Sequence, residues 1–196
     1  MLICIPDISG FTKFMSDSDS KLSSKVIPAL LNKIIYSNEI GLKVSEIEGD
    51  AVLFYNSGKL PALSALVSQC VYFYKQFYKE LNLLKKRHAK EEKGYKIPKN
   101  LGLKIILHFG DEVETVQIGK HLKLMGEDVI IAHKLLKNEV PKEEYILISE
   151  NLLRQYDLNN LEKDVYWTSL KSGKNVYEHL GEINYTYIDV KPLANL

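Results

Sequence analysis

The chain has 196 residues, 45% of them hydrophobic and 26% charged, and a formal net charge of +1 at pH 7. This length predicts a single domain over residues 1–196 that buries its own core. The small net charge argues against a nucleic-acid partner, and no apolar run approaches the roughly 18 residues of a membrane span. Cys4 and Cys70 lie in apolar runs and predict buried free thiols. Since the N-terminal apolar run is too short for a signal peptide, we expect a cytoplasmic protein.

The first half of the chain predicts a strand, a helix, a hairpin and a second helix. The apolar run at residues 2–5 predicts a buried strand that delivers Asp7 at its end. Apolar residues at helical spacing predict a helix over about residues 22–37, in which Pro28 either introduces a kink or marks the true start. Residues 42–46 and 51–55 predict two strands joined by a turn at residues 48–50. An apolar stripe over residues 63–84 predicts a long helix that packs on the sheet.

The second half begins with a basic stretch over about residues 85–100. Its charges could bind phosphates, but a mobile, solvated loop is the favoured interpretation. Residues 101–109 predict a strand with a hairpin partner at 114–118, and Glu127 and Asp128 open a helix. Residues 145–148 predict a strand and 152–156 a short helix. Residues 165–170 and 176–180 predict a closing hairpin around a turn at 171–174. The tail, residues 184–196, is either an edge strand or an arm that binds a partner.

The order of these elements predicts the fold class. A β-α-β-β-α-β series with an additional hairpin and helices corresponds to the split βαβ, ferredoxin-like plan. We therefore expect an α/β (α+β) protein with a ferredoxin-like core. Fold alone does not give function.

Carboxylates cluster where two of the predicted strands end. Asp7 follows the first strand beside a helix start, and Asp50 lies at the bend of the hairpin. Such a pair suits a hard divalent cation and a phosphate-bearing ligand. Glu46 and Glu48 alternate with Asp50, which places all three on one face of a regular strand. For the two glutamates, simple exposure to water is the favoured interpretation.

Three motifs carry a resemblance to class III nucleotidyl cyclases. The run Pro6-Asp7-Ile8-Ser9-Gly10-Phe11-Thr12 resembles their first metal motif, and Glu48-Gly49-Asp50-Ala51-Val52-Leu53 resembles their second. The stretch 126–136 is similar to their late helix. The residues of the first two motifs resemble even more closely those of an uncharacterised family of short cyclase-like proteins.

The resemblance implies a metal–nucleotide site. It assigns Mg²⁺ or Mn²⁺ to Asp7, Asp50 and the carbonyl of Ile8, and a nucleoside triphosphate to the same site. The loop Ser9, Gly10, Phe11 and Thr12 would cradle the phosphates, although an ordinary strand-to-helix turn is the alternative. Lys171 resembles the phosphate-binding lysine of a late hairpin, and a plain turn lysine is about as well supported. The resemblance also implies a homodimer with the site across its interface.

The chain departs from the cyclase pattern at four positions. Glu46 stands where cyclases place a base-recognising lysine, and the second base-recognising position maps near His121. Ile130 stands for a transition-state asparagine, and Lys134 stands for a transition-state arginine. His133, on the same helix, lies near the implied dimer interface, whereas His108 is in an apolar strand and predicts a satisfied core histidine.

Three hypotheses follow. The first is a degenerate cyclase-like domain that binds a metal and a nucleotide for signalling, with weak or absent adenylate cyclase activity. The second is an active nucleotidyl cyclase, a phosphorus–oxygen lyase, with altered base specificity. The third is a dimeric interaction scaffold without a ligand.

Overall fold

The computed structural model describes residues 1–88, 97, 101–156, 165 and 167–195. Its strands are β1 (Leu2–Ser9), β2 (Lys43–Glu48), β3 (Ala51–Asn56), β4 (Gly102–Phe109), β5 (Glu114–Ile118), β6 (His121–Met125), β7 (Tyr145–Ser149), β8 (Lys171–Tyr177) and β9 (Gly181–Asp189). Its helices are α1 (Phe11–Asp17), α2 (Ser20–Ile35), α3 (Leu63–His88), α4 (Glu127–Leu135) and α5 (Glu150–Leu153), and a 3₁₀ helix spans Lys191–Asn195.

The main sheet has the strand order β2-β3-β1-β4-β7-β9-β8, and β5 pairs with β6 in a separate two-stranded sheet. Strands β2, β3, β1 and β4 are antiparallel neighbours, as in a ferredoxin-like βαββαβ unit. Strand β7 extends this unit by a parallel pairing with β4. The predicted α/β fold with a ferredoxin-like core is therefore confirmed.

The two faces of the sheet carry different cores. Along β1, Leu2 and Cys4 pack on the side that α2 and α3 cover. The intervening Ile3 and Ile5 pack on the opposite side, with α4. This alternation follows from the two-residue period of a strand. The same alternation places Asp7 on the α4 side of the sheet, on the same face of β1 as Ile3 and Ile5.

Helix α2 begins at Ser20, where the Asp19 carboxylate accepts a hydrogen bond of 2.9 Å from the N–H of Lys21. Pro28 therefore lies inside this helix and does not mark its start. Both cysteines are buried and free, as predicted. No helix among the described residues combines the length and the apolar character needed to cross a membrane.

The closing hairpin lies further along the chain than its composition predicts. The expected turn at residues 171–174 is the first half of β8, which pairs with β9. Gly173 indicates close packing there, not a turn, because a Cβ at this position would lie 2.5 Å from Cε2 of Tyr185. The chain reverses after Tyr177, where His179 has a φ of 68°. A positive φ is uncommon for a residue other than glycine, so the signal for this turn is Gly181, whose φ is 74°, and not His179.

The C-terminal tail is neither an edge strand nor an arm. Residues up to Asp189 lie in β9, which is an interior strand between β7 and β8. Leu193, in the 3₁₀ helix, is buried in the core that α3 also lines. The tail therefore completes the chain's own sheet and core.

Two other predicted elements need correction or restriction. Strand β5 pairs with β6 and not with β4, so the additional hairpin is a separate unit. Strand β6 is not among the elements that the sequence predicted. Of the predicted mobile loop at residues 85–100, residues 85–88 continue α3. Most of the remainder, residues 89–96 and 98–100, lies outside the described residues.

Candidate metal and nucleotide site

Asp7 is a buried carboxylate in an interior strand. Its register partners are Ala51 on β3 and Lys104 on β4. The Lys104 ammonium Nζ lies 3.1 Å from Asp7 Oδ2 and also donates a hydrogen bond of 3.1 Å to the carbonyl of Leu136. A buried charge needs a partner of this kind, since isolation in the core would cost several kcal/mol. Lys104 therefore fixes Asp7 beside the C-terminal end of α4.

Asp50 follows Gly49 in the two-residue turn between β2 and β3, where Gly49 has a φ of 59° that suits glycine. Its backbone carbonyl accepts a hydrogen bond of 3.1 Å from the N–H of Ile8. This bond ties the turn to β1 and brings the carboxyl group of Asp50 to that of Asp7. Burial and the neighbouring Asp7 charge raise the pKa of Asp50 to about 6.

These features fit the divalent cation that the resemblance implies. Two carboxyl groups within hydrogen-bonding reach of each other repel when both are ionised, unless a proton or a cation lies between them. Carboxylate oxygens are also the donors that Mg²⁺ and Mn²⁺ prefer. Lys104 supplies one positive charge to Asp7, but burial and the Asp7 charge together still keep the pKa of Asp50 raised. Asp7 and Asp50 would hold the ion.

A cleft of about 550 Å³ opens between Asp7 and α4. Besides Asp7 and Lys104, it is lined by six residues of α4 and the segment that follows: Val129, Ile130, His133, Lys134, Leu136 and Lys137. Lys134 and Lys137 are exposed, and they place positive charge on the wall opposite the carboxylates. A cleft of this size that combines the Asp7 carboxylate with ammonium groups can take a metal-bound polyphosphate.

The predicted phosphate loop leads from β1 into α1. The Ser9 hydroxyl donates a hydrogen bond of 2.6 Å to the carbonyl of Glu143. Gly10 has a φ of 79° and caps α1, and its carbonyl accepts a hydrogen bond from the N–H of Phe14. Phe11 packs against the core, and Thr12 is exposed. This geometry is that of a strand-to-helix turn next to Asp7, and phosphate binding by it stays a prediction.

Glu46 and Glu48 lie on the α4 side of β2. Glu46 Oε2 is 2.6 Å from the Nζ of Lys123 on β6, and Glu48 Oε2 is 3.7 Å from Nδ1 of His133 on α4. Glu46 is therefore paired with a cation and does not simply face water, whereas about half of the Glu48 side chain is exposed, as expected. Glu46 makes an ion pair with Lys123 and Glu48 lies close to the His133 ring, so both glutamates connect β2 to the layer above the sheet.

The remaining predicted site residues are spread over the fold. Lys134 lines the cleft. His121 is the first residue of β6 and pairs with Ile118. Lys171 begins β8, four strand spacings or roughly 19 Å from β1 across the sheet. Within one chain, therefore, Lys171 is not brought to Asp7.

A buried Ser–His–Asp chain lies apart from the cleft. His108 Nδ1 is 2.8 Å from the Ser149 hydroxyl, and His108 Nε2 is 2.9 Å from Asp128 Oδ1. Burial lowers the pKa of His108, with Asp128 opposing the shift, which favours the neutral ring. The Ser149 hydroxyl also accepts a hydrogen bond of 3.3 Å from the N–H of Leu152 and caps α5. Since all members are buried, the chain joins β4, α4 and β7, and His108 is the satisfied core histidine that was predicted.

Sequence reasoning missed the cationic partners of this site. Lys104 carried a usable signal, because it is the lone charge among the apolar residues 101–107. Lys123 carried none, since β6 itself was not predicted. The pairing of Glu48 with His133 joins residues 85 positions apart in the sequence, and only the tertiary fold brings them together.

Solved structures similar to this chain define the class of its fold. The adenylyl cyclase CyaB from P. aeruginosa matches with a TM-score of 0.62 and 17% identity over 96% of this chain and 93% of that chain. The guanylyl cyclase Cya2 matches with a TM-score of 0.62 and 14% identity over 95% and 90% of the two chains. A non-canonical dimeric guanylyl cyclase domain of the RhoGC fusion protein from Blastocladiella emersonii matches with a TM-score of 0.56 and 16% identity over 95% of this chain and 94% of that chain. The fold is that of class III cyclase catalytic domains.

The family within this class is shown by sequence. A family model described as "Protein of unknown function (DUF2652)" matches residues 27–145, more than half of the chain. The protein belongs to this family. It is also 28% identical over 150 residues to the "Uncharacterized protein Rv2561/Rv2562" of Mycobacterium tuberculosis, which covers 76% of this chain and 67% of that protein.

Proposed function

We propose that this protein is a degenerate class III cyclase-like domain that binds Mg²⁺ or Mn²⁺ together with a nucleoside triphosphate. The observation that carries the proposal is the contact between the carboxyl groups of Asp7 and Asp50 beside the cleft that α4 lines. The cation would neutralise both carboxylates and the phosphates, while Lys134 and Lys137 would hold the far phosphate oxygens. Lysine acts here as a point charge and does not need the fork geometry of arginine.

A thermal-shift series tests this proposal. Each of the four nucleoside triphosphates is added with and without Mn²⁺. A ligand at about 100 times its Kd adds about 2.7 kcal/mol to the free energy of unfolding, so we expect a rise of several degrees in Tm. The rise should require both the metal and the nucleotide. If no combination shifts Tm, the ligand-free scaffold is the better hypothesis.

The second candidate is an active cyclase of altered base specificity. Glu46 supports it, because a carboxylate offers only hydrogen-bond acceptors and so favours a base with donor groups. Formation of a cyclic product from any triphosphate of the same series would distinguish it from a binding module.

Adenylate cyclase activity should be weak or absent. Ile130 offers no hydrogen bond where the resemblance places a transition-state asparagine, and losing one such donor typically costs about 10²–10³ in rate. Glu46→Lys combined with Ile130→Asn should raise trace formation of cyclic AMP by the purified protein. The matched control, Glu178→Lys with Leu83→Asn at exposed positions away from the cleft, should leave the rate unchanged. Robust cyclic AMP formation by the unmodified protein would contradict this prediction.

A homodimer would complete the site, as the resemblance to class III cyclases implies. Ile130 is 53% exposed on α4 at the cleft, where an apolar side chain suits a contact surface. Ile130→Asp should weaken self-association at least about 30-fold, as removal of an interface residue worth about 2 kcal/mol would. Light scattering over a dilution series measures the effect.

The matched control for this dimer test is Leu83→Asp on α3. Leu83 is also a helical residue, is 49% exposed, and lies on the opposite face of the sheet. This variant should associate like the unmodified protein. If both variants associate equally strongly, the interface does not include Ile130. If the unmodified protein is a monomer at high concentration, the homodimer itself is contradicted.

A further inference from the structure

The cluster of Glu46, Glu48 and His133 lies outside the Asp7–Asp50 pair. One ligand atom from each of these three residues lies within 4.8 Å of the other two. The glutamates come from β2 and the histidine from α4, so two separate elements converge on one point. A histidine among the donors sets this cluster apart from ordinary surface carboxylates, since imidazole is a ligand for transition metals.

We propose that Glu46, Glu48 and His133 form a second metal site, selective for a borderline transition-metal cation such as Zn²⁺. Two carboxylates and one imidazole make a three-ligand set that leaves a fourth position for water or substrate. The two glutamates supply negative charge to a divalent ion, although Lys123 already offsets part of the charge of Glu46. The Asp7–Asp50 site differs in chemistry, because its oxygen-only donors favour Mg²⁺ or Mn²⁺.

The distances allow closure on an ion. Ligand atoms about 2.1 Å from a tetrahedral Zn²⁺ lie roughly 3.4 Å apart. His133 Nδ1 and Glu48 Oε2 are already 3.7 Å apart. The Glu48 side chain is half-exposed, so it can rotate and shorten this distance to the one that the ion requires. Lys123 holds one oxygen of Glu46, and the other carboxylate oxygen remains for the metal.

A metal at this point would link α4 to β2 beside the cleft. His133 lines the same cleft as Asp7, so the link would hold that wall of the cleft against the sheet. Because the folded protein alone brings the three donors together, Zn²⁺ should raise Tm in a concentration-dependent way.

The test is calorimetric titration of tag-free protein with Zn²⁺, complemented by the visible absorption of bound Co²⁺, which reports nitrogen and oxygen ligation. We expect one Zn²⁺ per chain at this site. His133→Ala should lower the Zn²⁺ affinity about 100-fold or more, because even the removal of a residue that only hydrogen-bonds to a metal ligand lowers metal affinity about 10–100-fold. Glu48→Gln, which leaves α4 unchanged, should lose affinity similarly.

Two controls identify the site. His179 is 3.5 Å from Glu178, and no third metal-binding side chain joins them among the residues that the structure describes, so His179→Ala should bind Zn²⁺ like the unmodified protein. Asp50→Asn should also keep Zn²⁺ at this site, which separates failure of this inference from failure of the proposed function. Equal Zn²⁺ affinity in His133→Ala, Glu48→Gln and the unmodified protein would overturn the inference.

Discussion

Replacement of Asp50 by asparagine should abolish Mn²⁺-dependent nucleotide binding and should stabilise the metal-free protein above about pH 6. The binding loss follows because an amide cannot supply the negative charge that a divalent cation needs opposite Asp7. The gain in stability follows because the neutral amide removes the repulsion between two adjacent carboxylates. The two effects have opposite signs, which distinguishes a ligand-binding role from a purely structural one.

The pH dependence of the stability gain can be worked out from the pKa of Asp50. The folded pKa is raised from 3.8 to about 6. Below 3.8 the carboxyl group is protonated in both states and costs nothing. Between about pH 3.8 and about pH 6 the unfolded chain has lost this proton while the folded protein retains it, so the free energy of unfolding falls, and above about pH 6 the loss is complete. The advantage of Asp50→Asn should therefore grow over this range to about 1 kcal/mol, allowing for the partial solvent exposure of the group.

Urea denaturation in the presence of a chelator, at about pH 4.5 and about pH 8, measures this difference. The control is Asp17→Asn, which changes an exposed carboxylate on α1 and should not show the same pH-dependent gain. The thermal-shift series with Mn²⁺ measures binding in the same variants. If Asp50→Asn still binds nucleotide in a Mn²⁺-dependent way, Asp50 is not a metal ligand.

Substitution of Gly126 by alanine should destabilise the protein by about 3 kcal/mol or more, and it should displace α4. Gly126 has a φ of 135°, and a Cβ there would lie 1.9 Å from the backbone carbonyl oxygen of Glu112. A backbone atom cannot move aside as a flexible side chain can. Since α4 begins at the next residue, relief of this clash would shift the helix that carries Ile130, His133 and Lys134.

Gly119 provides the matched control for this prediction. It has a positive φ of 61°, but nothing lies within 4 Å of the position that its Cβ would occupy. Gly119→Ala should cost only the left-handed backbone strain of about 1–2 kcal/mol. Circular dichroism during urea denaturation compares the two variants. Equal losses of stability would contradict the close approach at Gly126.

Local sequence patterns predicted the parts of the fold that depend on local chemistry. The apolar run before Asp7 and the glycine turn before Asp50 each have a short-range signal, and the cyclase resemblance supported both. The order of these elements was enough to predict the ferredoxin-like core, which is confirmed.

The failures concern interactions over longer range. The turn predicted around Gly173 is a strand, because this glycine accommodates the ring of Tyr185. The pairing of Glu48 with His133 depends on how α4 packs over the sheet, and no local period encodes that packing. The metal, the nucleotide, the dimer and the cytoplasmic location stay predictions.

The position of β8 outside β9 has a consequence for how the protein assembles. Strand β8 precedes β9 in the chain, yet its pairing in the sheet is with β9, which in turn docks on β7. Strand β8 therefore cannot join the sheet until the later strand is in place. Asp7 and Asp50 rely instead on the mutual pairing of β1, β3 and β4. The outer hairpin can thus open as a separate cooperative unit, at less than the cost of global unfolding, while the carboxylate pair stays assembled.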